Sequence, residues 1–343
     1  MTSTFQPAPQ ITHPAFAQAC SASLDALASA DAALHQSKIP SDETWFALYQ
    51  LDGLNEVLEW NNEGVAADET ACIWLALLRM IRTVHSISPD GAPFALDRAI
   101  DSLTPHSCSG HIDATIMKAL NQNDMQLLEK NINAEAQDGG SLVRSAMMGF
   151  LPVEDPTTVA VLTARAAALT HGHEQEIFSA VAVALLVRSL LAGVTDGQQR
   201  SEDGLLSQAL EAAADWFVRL PLPQLPGHGE EIEKILRDAL NSPSEVRIQD
   251  RSAPVNTAGA ILKESIILAF SMLSTSEIPD SKQSTQALPT GTVRARLLAT
   301  FFASIARPDQ AFSASEQVEP NHPAIHSVLE NFFAQVGASS LAA

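Results

Sequence analysis

Residues 177–187 constrain the fold more than any other stretch, because they are apolar almost all round, with Ser179 as the polar exception, and end at Arg188. A segment with no face to show to water predicts a central, enclosed helix. The run itself is too short to span a bilayer. The rest of the chain points the same way. Ala and Leu dominate, only 5% of residues are aromatic and there is a single Tyr, a mix that favours helix over sheet. In residues 68–82, Ala71, Trp74, Leu75, Leu78 and Ile81 recur at three- and four-residue steps, the spacing of an amphipathic helix, and Asp68 is placed to cap it. From about Ala15 onward such segments are divided by Gly, Pro and Asp/Ser/Asn clusters. No alternating run stands out as a strand, and there is no internal repeat. Residues 195–256, with Pro221, Pro223 and Pro226, read as helices joined by long surface loops, and residues 277–290 as a second polar loop. The expectation is one all-α domain over 15–343 behind a loose, proline-bearing tail over 1–14.

A net charge of −20 with no basic stripe argues against nucleic-acid binding. Cys20, Cys72 and Cys108 are scattered and lack a C-x-x-C pair, so the spacing offers neither a disulfide framework nor a zinc site. The start of the chain has no basic n-region or apolar h-region, so no secretory signal is expected. A cytoplasmic protein without a membrane partner is the expectation.

Three stretches could carry chemistry. Gly139-Gly140-Ser141-Leu142-Val143-Arg144 is a glycine turn opening into a helix, which can bring backbone N–H groups close to a phosphate. The same residues also read as a plain turn between packed helices. Thr170-His171-Gly172-His173 then places two imidazoles at the head of the apolar helix, where His171 serves either a cleft or the loop's own hydrogen bonds. Earlier, Ser41-Asp42-Glu43-Thr44 offers two hydroxyls and two carboxylates; after Pro40 it reads equally as an N-cap with acids in the first turn. The remaining histidines, His85 and His111 among them, form no ligand spacing.

The order of these stretches resembles the ADP-ribosylglycohydrolase family, whose members carry an N-G-S-L-M-R-like loop followed by a T-H-x-x segment. Glu59-Trp60, residues 64–79 and Gly259-Ala260-Ile261-Leu262-Lys263-Glu264-Ser265 are similar to further family segments, and the order is kept from about Ala15 to Ala338. The resemblance implies a compact orthogonal helical bundle. It also implies ADP-ribose or an ADP-ribosylated protein as partner, and glycosidic bond cleavage with two magnesium ions held by carboxylates. Gly139, Gly140, Ser141 and His171 would then bind substrate.

The family's acid motifs carry over unevenly. The early G-D-A-L-G corresponds to Leu24-Asp25-Ala26-Leu27-Ala28, keeping Asp25 without its glycines. The T-D-D-T corresponds to Ser41–Thr44, making Ser41, Asp42 and Glu43 metal candidates and Asp42 and Glu43 catalytic ones. The late G-D-x-D-[ST] aligns Val318 and Pro320 with the two ligand positions, so the two-metal site reads as broken. One ion at most is expected. Three readings stay open: a hydrolase with a reduced magnesium site, an inactive ADP-ribose-binding relative, and an interaction protein on the old fold.

Overall fold

A computed structural model of the chain describes residues 12–108, 112–151, 153–196, 201–219, 229–241, 255–275, 288–309 and 322–337. Helices take up 72% of it, and no strand occurs among the described residues. The all-α expectation holds. The tail expected over 1–14 falls outside the description up to residue 11, and the first helix, α1, begins at its end, spanning Pro14–Leu34.

Local capping chemistry sets most helix starts. Ser41 caps α2 (Asp42–Asn62) by accepting from the Glu43 amide, and Asp68 caps α3 (Glu69–His85) by accepting from the Ala71 amide, as the sequence predicts. Two short helices follow, α4 (Ala99–Leu103) and α5 (Ala114–Leu120). The glycine turn opens α6, a single turn over Leu142–Ser145 that continues as 3-10 helix to Phe150. Asp155 caps α7 (Pro156–Ala168) and His173 caps α8 (Glu174–Thr195). The remaining helices are α9 (Glu202–Val218), α10 (Gly229–Asn241), α11 (Ala258–Thr275), α12 (Thr290–Ala306) and α13 (Pro323–Val336).

α8 is longer than the apolar run suggests. At 22 residues it is long and apolar enough to cross a membrane, but 72% of its most apolar window is buried inside the protein. It packs against α1, α7, α9, α11 and α12, so it is the central helix of one shared core. Where helices approach most closely, glycine is required. A Cβ on Gly53 of α2 would lie 2.8 Å from the Ile73 Cα of α3, and one on Gly149 would lie 2.6 Å from the Ala184 carbonyl oxygen of α8.

A buried ion network fixes α2 against α3. Arg79 of α3 donates to Asp52 of α2 at 2.5 Å and to Asp101 of α4 at 3.0 Å, while Arg98 binds Asp52 and Glu59. The pairing holds the N-terminus of α2 and the C-terminus of α3 in a fixed relation, which brings Asp42 and His85 together.

Candidate functional site

The N-terminus of α2 is the centre of the site. Ser41 does more than cap: its amide and its hydroxyl both donate to Asp31 Oδ2, at 2.9 and 3.0 Å, and the Thr44 hydroxyl donates to the same oxygen at 2.6 Å. The carboxylate that α1 brings to this point is therefore Asp31, which the sequence reading passed over. Asp25 lies six residues earlier, about 240° round the helix, so it faces elsewhere and is half-buried.

The two acids after Ser41 diverge. Asp42 Oδ1 lies 2.6 Å from His85 Nε2 at the end of α3 and accepts from the Cys108 thiol at 2.8 Å. Glu43 turns the other way and accepts from Arg294 Nε of α12 at 2.6 Å. Arg294 also donates to Asp113 Oδ2 at 3.1 Å and to Asp138 through both its carbonyl oxygen and Oδ1. One guanidinium thus sits among three carboxylates, with only 2% of its side chain exposed.

Titration follows this placement. Burial raises the pKa of Glu43 from its ordinary value against the opposing pull of Arg294. Burial pushes Asp138 up as well, but the His171 hydrogen bond, its charge and that of Arg294 win, holding Asp138 well below the usual range. Burial lowers the affinity of Arg294 for its proton, yet its acidic partners more than restore it, so the side chain stays charged. Burial and the bond to Asp42 push the Cys108 thiol up, which makes it a poor nucleophile as it stands.

The glycine loop is occupied from within. Gly139, at φ +81°, donates its amide to Glu176 Oε2 at 2.8 Å. The Ser141 amide and hydroxyl donate to Glu176 Oε1 at 2.9 and 2.7 Å. The Gly140 amide donates to Asp138 Oδ1 at 2.9 Å. A carboxylate from the first turn of α8 therefore takes the amides that the sequence reading offered to a phosphate. Close packing explains the glycines: a Cβ on Gly139 would meet Ile261 Cδ1 at 2.3 Å, and one on Gly140 would meet the His171 ring at 2.8 Å. Arg144 also works within the fold. It bonds Gln50, the Ala166 carbonyl and the Thr170 hydroxyl, and complete burial lowers its pKa to about 10.

His171 is fully buried, pairs through Nδ1 with the Thr170 hydroxyl at 2.8 Å, and reaches Asp138 Oδ1 through Nε2 at 3.2 Å. The structure therefore links Glu43, Gly139, Gly140, Ser141 and His171 through Arg294, Asp138 and Glu176. Val318 and Pro320 lie outside the described residues. His322 opens α13, accepting from the Ala324 amide and packing edge-on against Trp45.

The family model for ADP-ribosylglycohydrolase matches residues 5–281, and the chain belongs to that family. No curated protein matches it. Arg294, Val318 and Pro320 all lie beyond the matched span.

The family is generally metal-dependent, and the chain's resemblance to it implies a pair of magnesium ions. Magnesium requires a near-octahedral shell of hard oxygens. Here the Ser41 hydroxyl is committed to Asp31, and Glu43, Asp113 and Asp138 surround a fixed cation. Asp42 faces an imidazole and a thiol, which are poor partners for magnesium. These residues do not fit a magnesium pair.

Proposed function

We propose that this chain is a non-hydrolysing member of the ADP-ribosylglycohydrolase family that binds ADP-ribose, or the ADP-ribosyl group of a modified protein, without magnesium. The observation that carries this reading is the Arg294 guanidinium among Glu43, Asp113 and Asp138. A guanidinium neutralises carboxylates as a divalent ion does, but it has no open coordination position and cannot lower the pKa of a bound water.

The residues at the rim suit recognition better than cleavage. The Asp138 side chain is 37% exposed and that of Asp113 is 23% exposed, so their free acceptor capacity can take ribose hydroxyls. A general base works best with a pKa near the working pH, and Asp138 is held far below that. Glu43 is tied to Arg294 and mostly covered. The three thiols are unpaired, which suits the cytoplasmic setting we propose.

Calorimetric titration with ADP-ribose, with and without magnesium, tests the reading alongside an assay for ADP-ribose release from modified protein. Binding whose affinity ignores magnesium, with no release above background, is the expected result. Magnesium-dependent release that disappears in Glu43→Ala would show a working hydrolase. Failure to bind ADP-ribose at millimolar concentration would leave the interaction-protein reading in its place.

A further inference from the structure

We propose that Asp42, His85 and Cys108 form a binding site for a borderline-soft divalent transition ion, Zn²⁺ being the one the donor set suits. This inference does not depend on whether the protein binds ADP-ribose. The three residues come from the start of α2, the end of α3 and the segment after α4, and each presents one ligand atom. All three atoms lie within 4.8 Å of one another. A sulfur, an imidazole nitrogen and a carboxylate oxygen are the three donor types found around zinc, in the three-ligand arrangement that leaves a fourth position open.

The spacing supports it. Bond lengths of about 2.0 Å to nitrogen and oxygen and about 2.3 Å to sulfur put the ligands of a tetrahedral ion with one sulfur roughly 3.3–3.5 Å apart. Cys108 Sγ and His85 Nε2, 3.8 Å apart, need to close by only about 0.3 Å. The two contacts to Asp42, at 2.6 and 2.8 Å, are hydrogen bonds that must lengthen by about an ångström or less to admit the ion. On binding, the Cys108 thiol proton goes to solvent and sulfur enters as thiolate.

A second observation points to a ligand independently of this geometry. Asp42 is 93% buried by its 7% exposure, and its other oxygen, Oδ2, has no hydrogen-bond partner among the described residues. A buried carboxylate oxygen left bare is costly. An ion at this carboxylate supplies the missing charge compensation.

Cobalt(II) reports the site directly, because a thiolate ligand gives a near-ultraviolet charge-transfer band that oxygen and nitrogen ligands do not. Full-length protein freed of metal with chelator is titrated with Co²⁺, then with Zn²⁺, then with Mg²⁺. The expected result is a charge-transfer band saturating at one ion per chain, removed by Zn²⁺ and untouched by millimolar Mg²⁺. Cys108→Ser abolishes the band, whereas Cys72→Ser keeps it. Partners outside a metal's own ligands already shift affinity 10–100-fold, so His85→Gln should weaken Co²⁺ by at least about 100-fold. Circular dichroism checks that each variant folds; if Cys108→Ser does not, His85→Gln decides the matter alone. Absence of the band in wild type, its survival in folded Cys108→Ser, or unchanged affinity in His85→Gln would each overturn the proposal.

Discussion

Arg294 Nε lies 2.6 Å from Glu43 Oε1, joining residues 251 positions apart and placing a fixed positive charge beside an acid that the family resemblance gives to a metal. The same guanidinium binds Asp113 and Asp138, so it holds α12, α2 and the loop before α6 in one cluster. Removing one partner of a fully buried charge cluster costs about 3–5 kcal/mol; here the loss is smaller, because Asp113 and Asp138 are 23% and 37% exposed and His171 still faces Asp138.

Arg294→Ala should therefore destabilise the protein in urea unfolding, by about 1–3 kcal/mol. It should also turn the acid cluster into a genuine divalent-cation site. Magnesium or calcium at millimolar concentration should raise the melting temperature of Arg294→Ala by several degrees and leave wild type unchanged, read by differential scanning fluorimetry at matched ionic strength. An equal response in both proteins would mean that Arg294 does not stand in for the cation.

The glycine loop makes a parallel case with the sign of charge reversed. Glu176 accepts from the amides of Gly139 and Ser141 and from the Ser141 hydroxyl. Each buried donor left bare costs about 1–3 kcal/mol, so Glu176→Ala should lose about 3 kcal/mol or more. Hydrogen exchange at Gly139 and Ser141 should accelerate in that variant far more than at the core of α8. Acetate, a free carboxylate, should restore part of the lost stability when compared with chloride at the same ionic strength. Exchange rates that stay as in wild type would show that Glu176 is not what the amides bind.

Gly140 tests whether the loop's glycines serve packing. A Cβ there would sit 2.8 Å from the His171 ring and 3.0 Å from Asp138 Oδ1. Gly140→Ala should cost about 1–3 kcal/mol by overpacking. In the His171→Ala background the same substitution should cost much less, because the ring it strikes is gone. A double-mutant cycle in thermal unfolding reads this coupling directly. Additive losses would place the penalty in the loop backbone instead.

What the sequence made legible here was local. Ser41 and Asp68 cap their helices because a cap needs only a side chain and an amide two or three residues on. The enclosed character of α8 could be read because burial on all sides leaves its mark on every residue of the run. The acid pair Asp42–Glu43 and the loop at 139–141 were also visible as patterns. Their partners were not. His85 and Cys108 meet Asp42 from 43 and 66 residues away, and neither belongs to a short ligand motif. Glu176 reads simply as an acid in the first turn of a helix, favoured there by the dipole. Asp31 differs from Asp25 only in helical phase, and that phase is fixed by how α1 packs on α12 and α13. Arg294 could be foreseen only by asking what balances Glu43, Asp113 and Asp138.

Asp138 gives the last prediction, a dependence on pH whose sign the cluster dictates. His171 and Arg294 hold its folded-state pKa well below the ordinary aspartate value. A depressed carboxylate contributes stability that is fully present above its unfolded pKa and is lost as pH falls toward the folded one. The difference in unfolding free energy between wild type and Asp138→Asn should therefore be constant from neutral pH down to the ordinary carboxylate range, then shrink below it. Glu43 acts with the opposite sign: its raised pKa means the fold holds its proton more tightly than the unfolded chain does, so its ionisation costs stability as pH rises above the unfolded value. In Glu43→Gln that rising-pH cost is removed, while the acid-side loss due to Asp138 remains. Urea unfolding at a series of pH values on wild type and the two variants separates the effects. A difference for Asp138→Asn that grows as pH falls would show that His171 and Arg294 do not stabilise the Asp138 carboxylate.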